Sequence, residues 1–406
     1  MNAMEKNRRG GGGGWFVGGL SLIYFVAAFE IVIMISPFAF FFYSAFNPIL
    51  LGLNQSAATR WLTTFFLPHM IVPNTPLLLA IRDLGSVLFG VGALLFLACA
   101  AQVYLGKLLK RGVAERGVYA VIRHPQYTGL IMAGLGLTIL WPRFLTLMLL
   151  AVMIFLYYLL ARDEERRMLN RYGETYRAYL ARTAMFAPLL GWRRRDVARV
   201  RLLPSALLLV LLLGGAAGLG FGLRSYTVSR LLLATVDGID VLSVQPADTA
   251  LAPNLLEALK RDPSAASALR SIPRTADSRI LAYVVPVDYV MQGMIADTGD
   301  RWKLFRNHQT LANITDYVVH PIGHLRGGHE GHAGMAMGEG SVATRRIIIL
   351  QISSGSVLSS ARSDFGINER RVPSFFADVH LHSWQVEQVQ KLPPGTGLGD
   401  VPTPMF

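Results

Sequence analysis

Two short stretches hold the residues most able to do chemistry. Arg123-His124-Pro125-Gln126-Tyr127-Thr128-Gly129 stands where a basic loop meets an apolar run, and Asp163-Glu164-Glu165-Arg166-Arg167 follows about forty residues later, where apolar sequence gives way to charge. An arginine fork can hold a carboxylate. A glutamate can accept charge-assisted hydrogen bonds from an ammonium group. Tyrosine rings can lie against a flat heterocycle or near a cation, and His124 is the nearest group that could take a proton at neutral pH. Pro125 fixes φ where a helix begins, and Gly129 leaves room for close approach.

The sequence between the two stretches must bring them together. It is hydrophobic with one break, Trp141-Pro142-Arg143. Helices over roughly 127–141 and 144–161 would each span about 25 Å, enough for a thin bilayer crossing. A hairpin that goes out and returns puts both polar clusters on one membrane surface.

The composition agrees with a membrane protein. Of 406 residues 52% are hydrophobic, and the mean hydropathy is +0.40. A single cysteine, Cys99, excludes an intrachain disulfide or cysteine metal site. The net charge of +13 is unevenly spread: residues 1–223 hold 22 Lys/Arg against 9 Asp/Glu, and residues 224–406 hold 17 against 17. The excess lies in loops between apolar runs, as the positive-inside rule requires. Those loops lack the aromatic interleaving of a nucleic-acid binder, so no nucleic acid is expected.

In chain order, residues 1–14 form a glycine-rich flexible tail, and Trp15–Phe46 is a retained apolar helix containing Glu30. Glu30 is either an intramembrane functional carboxylate or an interfacial one. Residues 47–83 carry four prolines and read as a loop with a short interfacial segment around Trp61–Leu67. Leu84–Leu105 is a second span, with Gly90 and Gly92 permitting close helix approach. Met168, Tyr172, Tyr176, Tyr179, Leu180 and Thr183 fall on one helical stripe that lies on the membrane surface or packs on the bundle. Leu202–Leu223 is the fifth span. The fold expected is an all-α integral membrane bundle of about five transmembrane helices (15–223), followed by an α+β domain (224–406). That domain has strands at Arg279–Val290 and Arg345–Ser353 and a helix at Leu255–Leu269 interrupted by Pro263. Turns are expected at Asp237-Gly238 and Pro394-Gly395. The basic side should be cytoplasmic, which makes the N-terminus cytoplasmic and the C-terminal domain extracytoplasmic, in the periplasm of a bacterial inner membrane.

Gly117-Val118-Tyr119, the Arg123–Gly129 stretch, Glu164-Glu165 and Tyr172-Gly173-Glu174-Thr175-Tyr176-Arg177-Ala178-Tyr179, in that order, resemble the isoprenylcysteine carboxyl methyltransferase and phospholipid methyltransferase superfamily over roughly residues 80–190. The resemblance implies a membrane enzyme that binds S-adenosylmethionine at the cytoplasmic face. It would methylate a lipid-like or small thiol, carboxylate or amine acceptor. By motif, Tyr119, Arg123, His124, Pro125, Tyr127 and Gly129 would form the cofactor pocket, with His124 and Arg123 as catalytic candidates. Glu164 and Glu165 would face its methionine end, and Tyr172 and Tyr176 would cover it. The segment Met185-Phe186-Ala187-Pro188 is a looser version of the usual close, and residues 224–406 have no standard counterpart.

Two other readings compete. A sterol-type reductase shares a His-Pro-x-Tyr-x-Gly motif and uses a nicotinamide cofactor, but usually has Asn where this chain has Gln126. A membrane anchor or assembly subunit would work through residues 224–406, by a protein partner or by a metal held at His320, His324, His329 and His332, with Met335 and Met337 nearby and His380 and His382 later in the chain. Glycines between those histidines point instead to an ordinary polar loop.

Overall fold

The computed structural model describes residues 50–69, 73, 75–109, 116–187, 202–275, 278–289, 292, 295–298, 343–353, 362, 365–367 and 369–394. The N-terminal tail, Trp15–Phe46 with Glu30, the histidines at 320–332 and the last dozen residues lie outside them.

Helices make up the N-terminal part: α1 Pro76–Leu108, α2 Pro125–Leu140, α3 Phe144–Tyr172, α4 Glu174–Arg182 and α5 Leu202–Arg230. Among the described residues, three helical stretches are long and apolar enough to cross a membrane: Pro76–Val103, Phe144–Tyr172 and Leu203–Arg230. The expected hairpin is present as α2 and α3. Its first arm has 16 residues, or roughly 24 Å, short of a bilayer core of about 30 Å.

Several boundaries differ from those expected. α1 begins at Pro76 rather than Leu84. Proline has no N–H to leave unpaired at a helix start, so Pro76 opens the span instead of breaking it. α5 runs on to Arg230, past Leu223. The tyrosine stripe is not one helix: Gly173, at φ +53, separates α3 from α4, and Thr183 caps α4 in an extended conformation.

α1 and α2 meet backbone to backbone. A Cβ on Gly92 would collide with the Ala133 nitrogen and lie 2.6 Å from the Gly129 carbonyl oxygen; one on Gly136 would collide with the Phe89 nitrogen and lie 2.6 Å from the Gly85 oxygen. Gly85 and Gly92 on α1 therefore face Gly136 and Gly129 on α2, at two levels two turns apart. Gly90 has nothing within 4 Å of its Cβ direction, so of the two glycines expected to permit close approach only Gly92 does.

The turn between α2 and α3 is gripped by the loop after the 3₁₀ turn Arg60–Thr63. Phe66 N donates to Pro142 O at 2.8 Å and Phe144 N to Thr64 O at 3.0 Å. Arg143, wholly buried, donates to the Thr63 carbonyl and lies 4.3 Å from the centre of the Phe65 ring.

The C-terminal part is a six-stranded sheet in sequence order: β1 Leu233–Val236, β2 Ile239–Ser243, β3 Ser278–Pro286, β4 Thr344–Ser353, β5 Arg370–His380 and β6 Val386–Lys391. The β2–β3 pair is parallel and the other pairs are antiparallel. The parallel pair needs a crossover, supplied by α6 Ala252–Arg261 and α7 Pro263–Arg270. Pro263 divides the expected helix in two, and the Asp262 carboxylate caps the second by accepting from Ala265 N at 2.8 Å. Asp237 and Gly238, both at positive φ, turn β1 into β2.

Both sheet faces are covered. Leu255, Leu259 and Leu269 pack on one side with Val284, Ile347 and Phe375. On the other, Leu281, Ile348 and Phe376 share a core with Leu50, Phe65, Trp141 and Leu231. The sheet therefore seats on the turn end of the helical hairpin. The Arg123–Gly129 stretch is at the other end of α2, roughly 24 Å away.

Candidate functional site

The backbone before α2 is held in place by a returning segment. Arg123 N donates to Ala184 O at 2.9 Å, His124 N to Met185 O at 3.2 Å, and Ala184 N to Val121 O at 2.9 Å. Thr128 Oγ1 adds a bond to Phe186 O at 2.8 Å. The residues after α4 thus act as a short strand that fixes the entry to α2. His124 is the residue before the helix and Pro125 its first residue, where a proline needs no hydrogen-bond partner.

Glu165 projects from α3 into this entry. Its Oε1 accepts from Arg123 Nε at 2.6 Å, and both side chains are buried. A terminal nitrogen of Arg123 donates to the Leu180 carbonyl at 3.2 Å and also to the Thr183 carbonyl. Arg123 therefore ties α3, α4 and the segment after α4 to the start of α2. A buried guanidinium is tolerable only with such partners.

Glu164, one residue earlier, is half-exposed. Tyr127 donates to its Oε1 at 2.8 Å, and its Oε2 lies 3.4 Å from His124 Nδ1. His124 Nε2 lies 3.4 Å from Glu165 Oε1, close enough to attract it but without hydrogen-bond geometry. Burial disfavours a charged His124, yet the two carboxylates of Glu164 and Glu165 beside it outweigh it and raise its pKa above the ordinary 6.5. The Tyr127 ring stacks with two others: His124 at 5.7 Å between centroids and Tyr157 at 5.0 Å, each within 10° of parallel.

The remaining predicted residues divide. Tyr119 and Tyr176 are buried, and burial pushes both hydroxyls well above their ordinary range. Glu165 adds to the shift at Tyr176, whose ring packs against that of Tyr179 at 5.7 Å. Tyr119 accepts, through its carbonyl, from the Tyr179 hydroxyl at 2.6 Å. Gly129 turns its open side to Gly92 and Phe96 of α1. Tyr172 is not drawn into the cluster among the described contacts; it is 41% exposed, with Arg171 over its ring. The structure thus gathers Arg123, His124, Tyr127, Glu164 and Glu165.

Sequence reasoning missed Tyr157 and the supporting parts of Leu180 and Thr183. Tyr157 carried a signal: it stands seven residues before Glu164, two turns earlier on the same face of α3. The Leu180 and Thr183 carbonyls carry none in side-chain type. No group of three or more His, Cys, Asp or Glu residues able to hold a metal occurs among the described residues. The histidines at 320–332 lie outside them.

Residues 84–175 match the family model for phospholipid methyltransferase. The match lies within the superfamily whose motifs the sequence resembles. It runs from α1 through the hairpin to the start of α4, taking in His124, Glu164 and Glu165, and leaves the sheet domain outside. Together with the apolar helices it points to a membrane-associated methyltransferase, a class that uses a methyl donor. No curated protein and no solved structure matches the chain.

Proposed function

We propose that this chain is a membrane enzyme that transfers a methyl group from S-adenosylmethionine to an amphiphilic or small thiol, carboxylate or amine acceptor at the α2–α3 polar cluster. The observation that carries the reading is Glu164. Its carboxylate is half-exposed, oriented by Tyr127 and His124, and stands beside a buried Arg123–Glu165 pair. Such a carboxylate fits the donor's ammonium group, and aromatic side chains near it fit the adenine and the sulfonium.

The donor, when bound, supplies an electrophilic methyl group. The chain's own residues do the rest. Glu164 anchors the amino-acid end, and Tyr119 and Tyr176 form apolar walls. Arg123 is a positioning residue, since its hydrogen bonds run to Glu165, Leu180 and Thr183. His124 is charged until the pH exceeds its raised pKa. An acceptor that must lose a proton would therefore react faster on the alkaline side, whereas a carboxylate acceptor would not. In-line transfer depends mostly on positioning, which this ring of tied side chains provides.

The basic loops support a cytoplasmic site. With the sheet domain at the opposite end of the hairpin, that domain would be extracytoplasmic, in the periplasm if the membrane is a bacterial inner membrane. Binding of S-adenosylmethionine to detergent-purified protein tests the reading. Saturable micromolar binding is expected, weakened at least about tenfold in Glu164→Gln by loss of a charge-assisted bond. A folded wild-type protein that does not bind would overturn it.

A further inference from the structure

The geometry points to Tyr157 as a positioning residue of this site: its ring is the fixed backstop that aims the Tyr127 hydroxyl at Glu164. Tyr157 is buried on α3. Its ring lies 5.0 Å from that of Tyr127 at 7° between planes. Tyr127 also meets His124, at 5.7 Å and 9°. A ring packed nearly parallel to two neighbours has little freedom to tilt. The Tyr127 hydroxyl, 2.8 Å from Glu164 Oε1, is held in place as a result. Tyr157 thereby fixes three things at once: the Tyr127 direction, one oxygen of Glu164, and the plane against which His124 rests.

This arrangement uses the geometry of the hairpin. Tyr157 and Glu164 are two turns apart on one helix, and Tyr127 bridges them from the facing helix. The position of a half-exposed carboxylate is thus referred back to a buried part of α3. An exposed glutamate would otherwise sample several rotamers, each lost at an entropic cost on binding. His124 and Tyr127 both sit on the α2 side of the seam, so the ring contact that refers Tyr127 back to α3 is the one with Tyr157.

The donor-binding part of the test rests on the function proposed above; a second readout does not. Tyr157→Phe, Tyr157→Leu and Tyr157→Met would be made in the full chain, each also on a Tyr127→Phe background. S-adenosylmethionine affinity would be measured by calorimetry, and the His124 imidazole titration by NMR, assigned with His124→Gln. Tyr157→Phe keeps the stacking and should stay within about twofold of wild type, whereas Tyr157→Leu and Tyr157→Met should weaken binding about tenfold. In the same two variants the His124 midpoint should fall, since a wandering Glu164 holds the imidazolium less well. On the Tyr127→Phe background, which has no hydroxyl to aim, the Leu and Met changes should add less than about twofold.

Unchanged affinity and an unchanged His124 midpoint in either folded variant would overturn the proposal. So would equal losses on both backgrounds, which would make Tyr157 ordinary packing. Wild-type protein that does not bind the donor would sink the methyltransferase reading alone, and the His124 titration would still decide for or against Tyr157.

Discussion

The two ends of one helical hairpin hold charge in different ways. At the end where α2 begins, cations meet carboxylates: Arg123 pairs with Glu165, and His124 lies between Glu164 and Glu165. At the turn end, Arg143 donates to the Thr63 carbonyl and covers the Phe65 ring, while Arg224 donates to the carbonyls of Phe65 and Phe365. The histidines follow the same division. His124 has its pKa raised by its acidic neighbours. His69 packs edge-on to Trp141 at 4.7 Å, and burial, then Arg82, lowers its pKa to about 4. Carbonyls and phenyl rings do not titrate, so these arginine contacts read as a joint between helices and sheet. The other end carries ionisable partners and one half-exposed carboxylate, which is what binding and proton exchange require.

One substitution made at both ends sharpens the contrast most. Arg123→Met leaves Glu165 buried without its partner and should cost about 4 kcal/mol of stability. Arg143→Met keeps volume and a side chain that suits the Phe65 ring, and loss of the hydrogen bond to the Thr63 carbonyl should cost about 2 kcal/mol. Denaturant unfolding in detergent would measure both. Equal costs would mean that the carboxylate at the site end has no special weight. Arg143→Met should also leave donor binding unchanged, since the site lies at the far end of α2.

The helix seam that joins the ends comes next. Gly136→Ala drives a methyl group into the Phe89 backbone and should cost about 2 kcal/mol, because two helix backbones must separate. Gly134→Ala meets Leu150 Cδ1 at 3.1 Å and Met153 Cε at 3.7 Å, the ends of flexible side chains, and should cost well under about 1 kcal/mol. The same unfolding assay checks the pair. Similar losses would show that the seam yields where the geometry says it cannot.

How much of this was legible in the sequence depended on whether the signal was local. The hairpin and its two polar clusters were readable because one Pro-containing break interrupts a long apolar run. The β3 and β4 strands stood out through Ile and Val. β6 did not, because Val386–Lys391 is an edge strand of mostly polar residues, and β1 is only four residues long. In the sequence Pro76 reads as a breaker, because proline content gives no sign of which proline stands first in a helix. The Tyr172–Tyr179 stripe fitted a single helix until Gly173 adopted a positive φ. Arg143 looked like a loop charge: nothing in its neighbours shows that residues 63–65, some eighty positions earlier, bury it. In the site, residue types gave Arg123, His124, Glu164 and Glu165, but a backbone carbonyl such as that of Thr183 leaves no mark in the sequence.

Smallest near neutral pH, and opposite in sign, are the proton-linked effects of the two histidines. The folded protein holds His124 above 6.5, so its contribution is complete below that value and is lost as pH rises through the folded pKa. His69 titrates at about 4 when folded against 6.5 when free. Its neutral form is the stable one, and stability should be lost as pH falls below 6.5, by roughly 1–2 kcal/mol at pH 5. Unfolding free energies measured from pH 5 to 8.5 should therefore decline on both sides. His69→Phe should flatten the acid limb alone and His124→Gln the alkaline limb alone. A His124→Gln curve that keeps the wild-type alkaline slope would mean that the two glutamates do not hold the imidazolium, and the contrast between the hairpin's ends would lose its electrostatic basis.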